Sequence, residues 1–138
     1  MELKIRSESD LLNVVATGTF SLEEAKRTFL QMLEASALHK SKKLLFDGRE
    51  LIGEPGLMER FYYGEFAART VTEFLLRQVP TATRFAYVLI EPVRDPERFG
   101  ETVALNRGMD VKTFLSPEEA LDWLRNAPAN KPDSGQRG

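Results

Sequence analysis

Chemistry along this chain has few places to start. The 138 residues include no cysteine and one histidine, His39, which stands in the polar run His39-Lys40-Ser41-Lys42-Lys43. Thiolate chemistry and cysteine-based zinc sites are therefore excluded, a Ser-His-Asp relay could be assembled only through His39, and a histidine-rich metal site cannot be built. Asp47, Glu50 and Glu54 fall close together and could hold a cation or exchange protons, but three acids in one polar stretch equally suit a solvated turn. No catalytic residue, metal site or cofactor follows from these patterns. The stretch Gly48 to Gly56 carries three glycines and Pro55, yet matches neither G-x-x-x-x-G-K nor G-x-G-x-x-G, so its glycines read as turn formers rather than a phosphate cradle.

What remains is binding. Asp47 and Arg49 follow the apolar run Lys43 to Asp47, at the carboxyl end of a predicted central strand, where open α/β sheets place their ligands. Glu50 lies beside them. Arg60 points into the apolar sector of the next helix, where it could pair with Asp47 or Glu50, or line a small polar pocket with them. These four are the ligand-binding candidates, against an alternative of local hydrogen bonding and an internal ion pair. A second group points outward. Met58, Tyr62 and Phe66, spaced i, i+4 and i+8, project among Glu59, Glu65, Arg69 and Glu73 as surplus apolar surface. Methionine with aromatics is a composition favoured at partner surfaces, so this stripe is the interface candidate, most simply for a symmetric homodimer; cover from a neighbouring segment is the alternative.

The elements that must carry these residues follow from periodicity. Leu3 and Ile5 alternate with Lys4 and Arg6, and Leu12 to Ala16 follow a polar turn, which predicts a hairpin. From Ser21 the apolar period becomes helical through Leu22, Ala25, Phe29, Met32, Leu33 and Ala37, with Ser21 and Glu24 as a capping box. A strand over Lys43–Asp47, a loop over Gly48–Gly56 and a long helix over Leu57–Gln78 come next. The helix ends before Pro80, and Leu57, Phe61, Gly64, Ala67, Ala68, Val71, Phe74 and Leu75 form its sheet-facing side. Phe85 to Ile90 reads as a strand, Glu97 to Asn106 as a helix, Val111 to Leu115 as a last strand, and Ser116-Pro117 with Glu119 as the start of a final helix. The order β-β-α-β-α-β-α-β-α predicts an α/β fold: a mostly parallel five-stranded sheet with an antiparallel N-terminal edge strand and four main helices.

Length, composition and charge bound the rest. One domain over residues 1–126 is expected, followed by a disordered tail over 127–138 (Ala127 to Gly138), which has almost no apolar side chain to anchor it. Nineteen basic and 21 acidic residues leave a net charge of -2 with no basic stripe, so nucleic acid is not an expected partner. No apolar run approaches the roughly 20 residues of a membrane-spanning helix, and the first ten residues lack the apolar centre of a signal peptide. With no cysteine, the expected setting is the cytoplasm.

The segment Phe99 to Leu124 resembles the ending of SpoIIAA-like proteins, a branch of the STAS/Sec14-type domains. Asn106-Arg107-Gly108, a short strand ending at Phe114, Glu118-Glu119-Ala120 and Trp123-Leu124 carry the likeness, and Leu44-Leu45-Phe46-Asp47 sits where such domains have a strand. The resemblance implies this fold over about residues 1 to 126. Anti-sigma-factor antagonists of this kind carry a phosphorylatable Ser or Thr after the matching strand. This chain has Asp47-Gly48-Arg49-Glu50 there and no Ser or Thr from Lys42 to Arg69, which speaks against a phosphoswitch. The reading is a non-enzymatic binding or regulatory domain that engages itself or a protein partner through helix two and the loop before it. The alternative is a carrier or sensor of a small apolar or lipid-like molecule held between helix two and the sheet.

Overall fold

Alternation at period two in the first nineteen residues folds as a hairpin of β1 (Glu2–Glu8) and β2 (Leu11–Thr19), paired antiparallel. The computed structural model describes residues 1–126, and the tail expected over 127–138 lies outside the described residues. After the hairpin come α1 (Leu22–His39), β3 (Lys43–Ile52), α2 (Leu57–Leu76), β4 (Arg84–Val88), α3 (Phe99–Asn106), β5 (Asp110–Phe114) and α4 (Pro117–Arg125). The five strands form one sheet in the order β1-β2-β3-β4-β5, with every pair after the first parallel. This is the predicted α/β architecture, antiparallel edge strand included.

Because each parallel strand lies next to its predecessor, right-handed crossovers send α1, α2 and α3 to the same face. The packing agrees. Leu12, Val14, Leu44, Phe46, Phe85, Tyr87 and Val111 meet Phe29, Met32, Leu33, Ala67, Val71, Phe74 and Ala104 in the larger core. The alternate strand positions Leu45, Ala86 and Val88 meet Ala120 and Leu124 of α4 in a smaller core on the opposite face. Helix ends follow the predicted signals. Ser21 Oγ accepts the Glu24 amide at 3.2 Å, and Ser116 Oγ accepts the Glu119 amide at 3.3 Å with Pro117 opening α4.

Several boundaries differ from the sequence reading, β5 by one residue at each end (Asp110–Phe114) and others by more. The loop expected over Gly48–Gly56 is strand as far as Ile52, because Glu50, Leu51 and Ile52 keep pairing with Thr17, Gly18 and Thr19 of β2. An extra β3 residue between Asp47 and Glu50 breaks the alternation, so that Gly48 and Leu51, three apart, are both buried. Helix α2 stops at Leu76, two residues early, where Gln78 takes a left-handed φ of 60°. Helix α3 starts at Phe99 rather than Glu97, since Arg98 is left-handed and the Asp95 carboxylate takes the amides of Glu97 and Phe99. Strand β4 ends at Val88 instead of Ile90.

Candidate functional site

Between α2 and the sheet lies a cavity of about 140 Å³. It arises where small residues face large ones. Gly64 and Ala67 on α2, Ala25 on α1 and Ala104 on α3 stand over Phe46, Leu51, Tyr87 and Val111 of the strands, and leave room that longer side chains would fill. Gly64 also lets α3 come close: a Cβ there would stand 2.5 Å from the Gly100 carbonyl oxygen.

Two tyrosines line this space. Tyr63 reaches in from α2 and Tyr87 from β4, and their hydroxyl oxygens are 2.6 Å apart. Tyr87 is only 7 % exposed; its ring lies 4.9 Å from that of Phe46, and Tyr63 meets Phe29 edge to face at 6.1 Å. Burial raises the pKa of both phenols well above the ordinary tyrosine value, so both hydroxyls stay protonated.

Charged groups form the outer lining. Arg60 Nη1 donates to the Val93 carbonyl at 2.8 Å and Nη2 to the Pro92 carbonyl at 2.9 Å. Burial pushes the Asp95 carboxyl up, but the amides of Phe99 and Glu97 and the charges of Arg60 and Arg94 outweigh it and hold the group below its ordinary value. Glu101 Oε1 accepts both the Thr113 amide at 3.0 Å and the Thr113 hydroxyl at 2.6 Å. Arg98 is exposed and forms no ion pair among the described residues. The arrangement is an apolar chamber with a hydroxyl pair inside and a polar rim.

Among the residues singled out in the sequence, Arg60 lines this chamber. Asp47 and Arg49 do not. They bind each other, Arg49 Nε to Oδ1 at 2.9 Å and Nη2 to Oδ2 at 2.8 Å. Alternation along β3 turns Asp47 away from the face that buries Phe46, and Arg49 feels the charge of Glu118 at the start of α4. Glu50 is exposed beside them. The structure thus does not gather the four into one cluster: Arg60 takes backbone carbonyls as partners, not Asp47 or Glu50. His39 ends α1 and is exposed. Among the described residues, no three His, Cys, Asp or Glu side chains group as metal ligands, and no helix is long and apolar enough to cross a membrane.

The outward stripe divides. Met58 is 54 % and Tyr62 43 % exposed, whereas Phe66 is half-buried against Phe29 and flanked by Lys26 and Arg69 over its ring. Sequence reasoning missed the role of Tyr87. Its signal was period two, which puts Tyr87 with Phe85 on the core face, where a buried phenol needs a hydrogen-bond partner.

No protein-family model matches the sequence, and no curated protein matches it. Among solved structures, the chain is similar to an uncharacterized protein of the DUF3478 family with a SpoIIAA-like fold from Shewanella loihica PV-4, at 21% identity and a TM-score of 0.48. The match covers 89% of this chain and 92% of that one.

Proposed function

We propose that this chain is a non-enzymatic binding domain that holds a small apolar or amphipathic molecule between α2 and the sheet. The cavity is the observation that carries this reading. Protein interiors pack to the density of organic crystals, and an apolar cavity of about 150 Å³ is known to stay dry and take benzene. A space of about 140 Å³ suits one ring or a short branched chain. A long acyl chain would have to extend past the rim. Apolar walls with a few placed polar groups are the usual make-up of a small-molecule site, and the Tyr63–Tyr87 pair and Arg60 supply those groups. No cofactor, metal or nucleic acid enters the reading, and its setting is the cytoplasm.

The test is a titration of amide resonances with benzene and toluene. Saturable shifts should centre on Tyr63, Ala67, Ala104 and Val111. Ala67→Leu, which fills the chamber from α2, should abolish them while the far-ultraviolet circular dichroism stays unchanged. Absence of saturable binding by either probe up to millimolar concentration would remove the proposal. A second reading, association with a protein or a second copy through the start of α2, is favoured by the exposure of Met58, Tyr62 and Leu57, the last of which the helical period assigns to the sheet-facing side but which instead faces solvent. The two uses are compatible, because these side chains face solvent while Tyr63, Gly64 and Ala67 face the chamber.

A further inference from the structure

Each tyrosine hydroxyl carries one hydrogen and two acceptor lone pairs. In the Tyr63–Tyr87 contact one hydrogen joins the two oxygens, and the second hydrogen has no acceptor among the described residues. Tyr87 is more than nine-tenths buried, and both side chains line the cavity. An unanswered O–H in apolar surroundings carries a desolvation penalty, which an acceptor placed in the cavity would relieve. Hydrogen bonding between the two hydroxyls also polarises the outer one and makes it a better donor. Apart from Arg98, which is exposed at the rim, the other charged and hydroxyl groups of the lining have partners: Arg60 the Pro92 and Val93 carbonyls, Asp95 the amides of Glu97 and Phe99, Glu59 the Gly56 amide, Glu101 Thr113, and Thr28 the Ala25 carbonyl.

Resting on the reading of this cavity as a ligand site, we infer that the Tyr63–Tyr87 pair is the subsite for an uncharged oxygen acceptor, so that the ligand is a ring or short chain bearing a ketone, ester, ether or hydroxyl oxygen. A carboxylate is disfavoured there. It would be desolvated beside two phenols; the guanidinium of Arg60 is held by backbone carbonyls, and Arg98, the cation of the lining without an ion pair among the described residues, is exposed to solvent at the rim. Burial keeps both phenols protonated, which preserves the donor at physiological pH.

Cyclopentanone, its hydrocarbon isostere methylenecyclopentane and the anion cyclopentanecarboxylate test this by calorimetric titration of the full chain and of the double variant Tyr63→Phe/Tyr87→Phe. That variant keeps both rings and removes both hydroxyls. Cyclopentanone affinity should fall roughly three- to tenfold in the variant, the range of one net hydrogen bond, while methylenecyclopentane affinity holds or rises. Wild-type protein gives an independent readout: the carbonyl stretch of bound cyclopentanone should lie below its frequency in an alkane. If methylenecyclopentane binds but cyclopentanone shows neither the affinity loss nor the lowered stretch, the pair is only a tie between α2 and β4. This inference then fails while the cavity reading stands. Tightest binding by the carboxylate would overturn the uncharged acceptor. If none of the three binds the wild type, the cavity reading fails and this inference with it.

Discussion

Asp47 and Arg49 are two residues apart in sequence and form a closed pair, two side-chain hydrogen bonds and a third from the Arg49 amide at 3.2 Å. The Arg49 guanidinium, outweighing the upward push of burial, holds the Asp47 carboxyl below its ordinary value. A carboxylate whose pKa is lower folded than unfolded adds stability above the unfolded value of about 3.9 and loses it as pH falls through the folded value. Arg49 is 45 % exposed, so water screens the pair, and its contribution should stay below about 1 kcal/mol. Asp47→Asn is therefore expected to lower the urea midpoint slightly at pH 7. Its difference from wild type should shrink below about pH 4 and vanish once Asp47 is protonated. A gap that persists at the lowest pH would mean that Asp47 acts through packing. The sequence offered two readings of these residues, a ligand contact and local hydrogen bonding, and in the structure they are hydrogen-bonded to each other. Their short spacing allowed that, but choosing between partner and ligand required knowing which face of β3 they leave. Tyr63 and Tyr87, 24 residues apart on different elements, offered no local pattern to join them.

At the level of elements, the crossing of α2 over α3 does most to set the chamber's shape. Gly64 and Gly100 let the two backbones approach: a Cβ on Gly64 would fall 2.5 Å from the Gly100 oxygen, and one on Gly100 would fall 3.0 Å from the Arg60 oxygen. Backbone cannot swing aside as a flexible side chain can, so Gly64→Ala must push the helices apart. The expected loss is about 1–3 kcal/mol, the usual range for overpacking, even though alanine has the better helix propensity. Thermal unfolding should show it as a fall of several degrees. An unchanged or raised midpoint would mean that α3 shifts freely, and with it one wall of the cavity. Most elements were legible because helix and strand periods and the Ser21 and Ser116 caps are local signals. The second half of β3 was not. Its burial at Gly48 and Leu51 follows a bulge, and that pattern exists only once β2 is alongside.

Across the whole molecule, one question is which exposed apolar groups the fold leaves without cover. Helices α1 to α3 blanket one side of the sheet and α4 the other, and among the described residues the large apolar side chains at the start of α2, Leu57, Met58 and Tyr62, are left largely exposed, Tyr62 with only the edge-to-face contact of Phe61 beside it. Phe66, read from the sequence as part of the same stripe, is different: it packs on Phe29, and a polar residue there would disturb the core as well as the surface. A clean test of self-association therefore uses Met58→Ser with Tyr62→Ser and leaves Phe66 alone. Three side chains supply only the centre of an interface, since a stable one buries about 800 Å² per partner. A copy of this chain docked there would also engage the charged flank of α2, and its assembly should weaken with added salt. Light scattering across a dilution series should give a dimer that dissociates on dilution, and a monomer for the double variant. The variant's unfolding midpoint should stay within about 0.5 kcal/mol of wild type, because exposed positions contribute little to folding. A wild type that is monomeric at every concentration would rule out a homodimer through this surface and leave the chamber as the binding site to pursue.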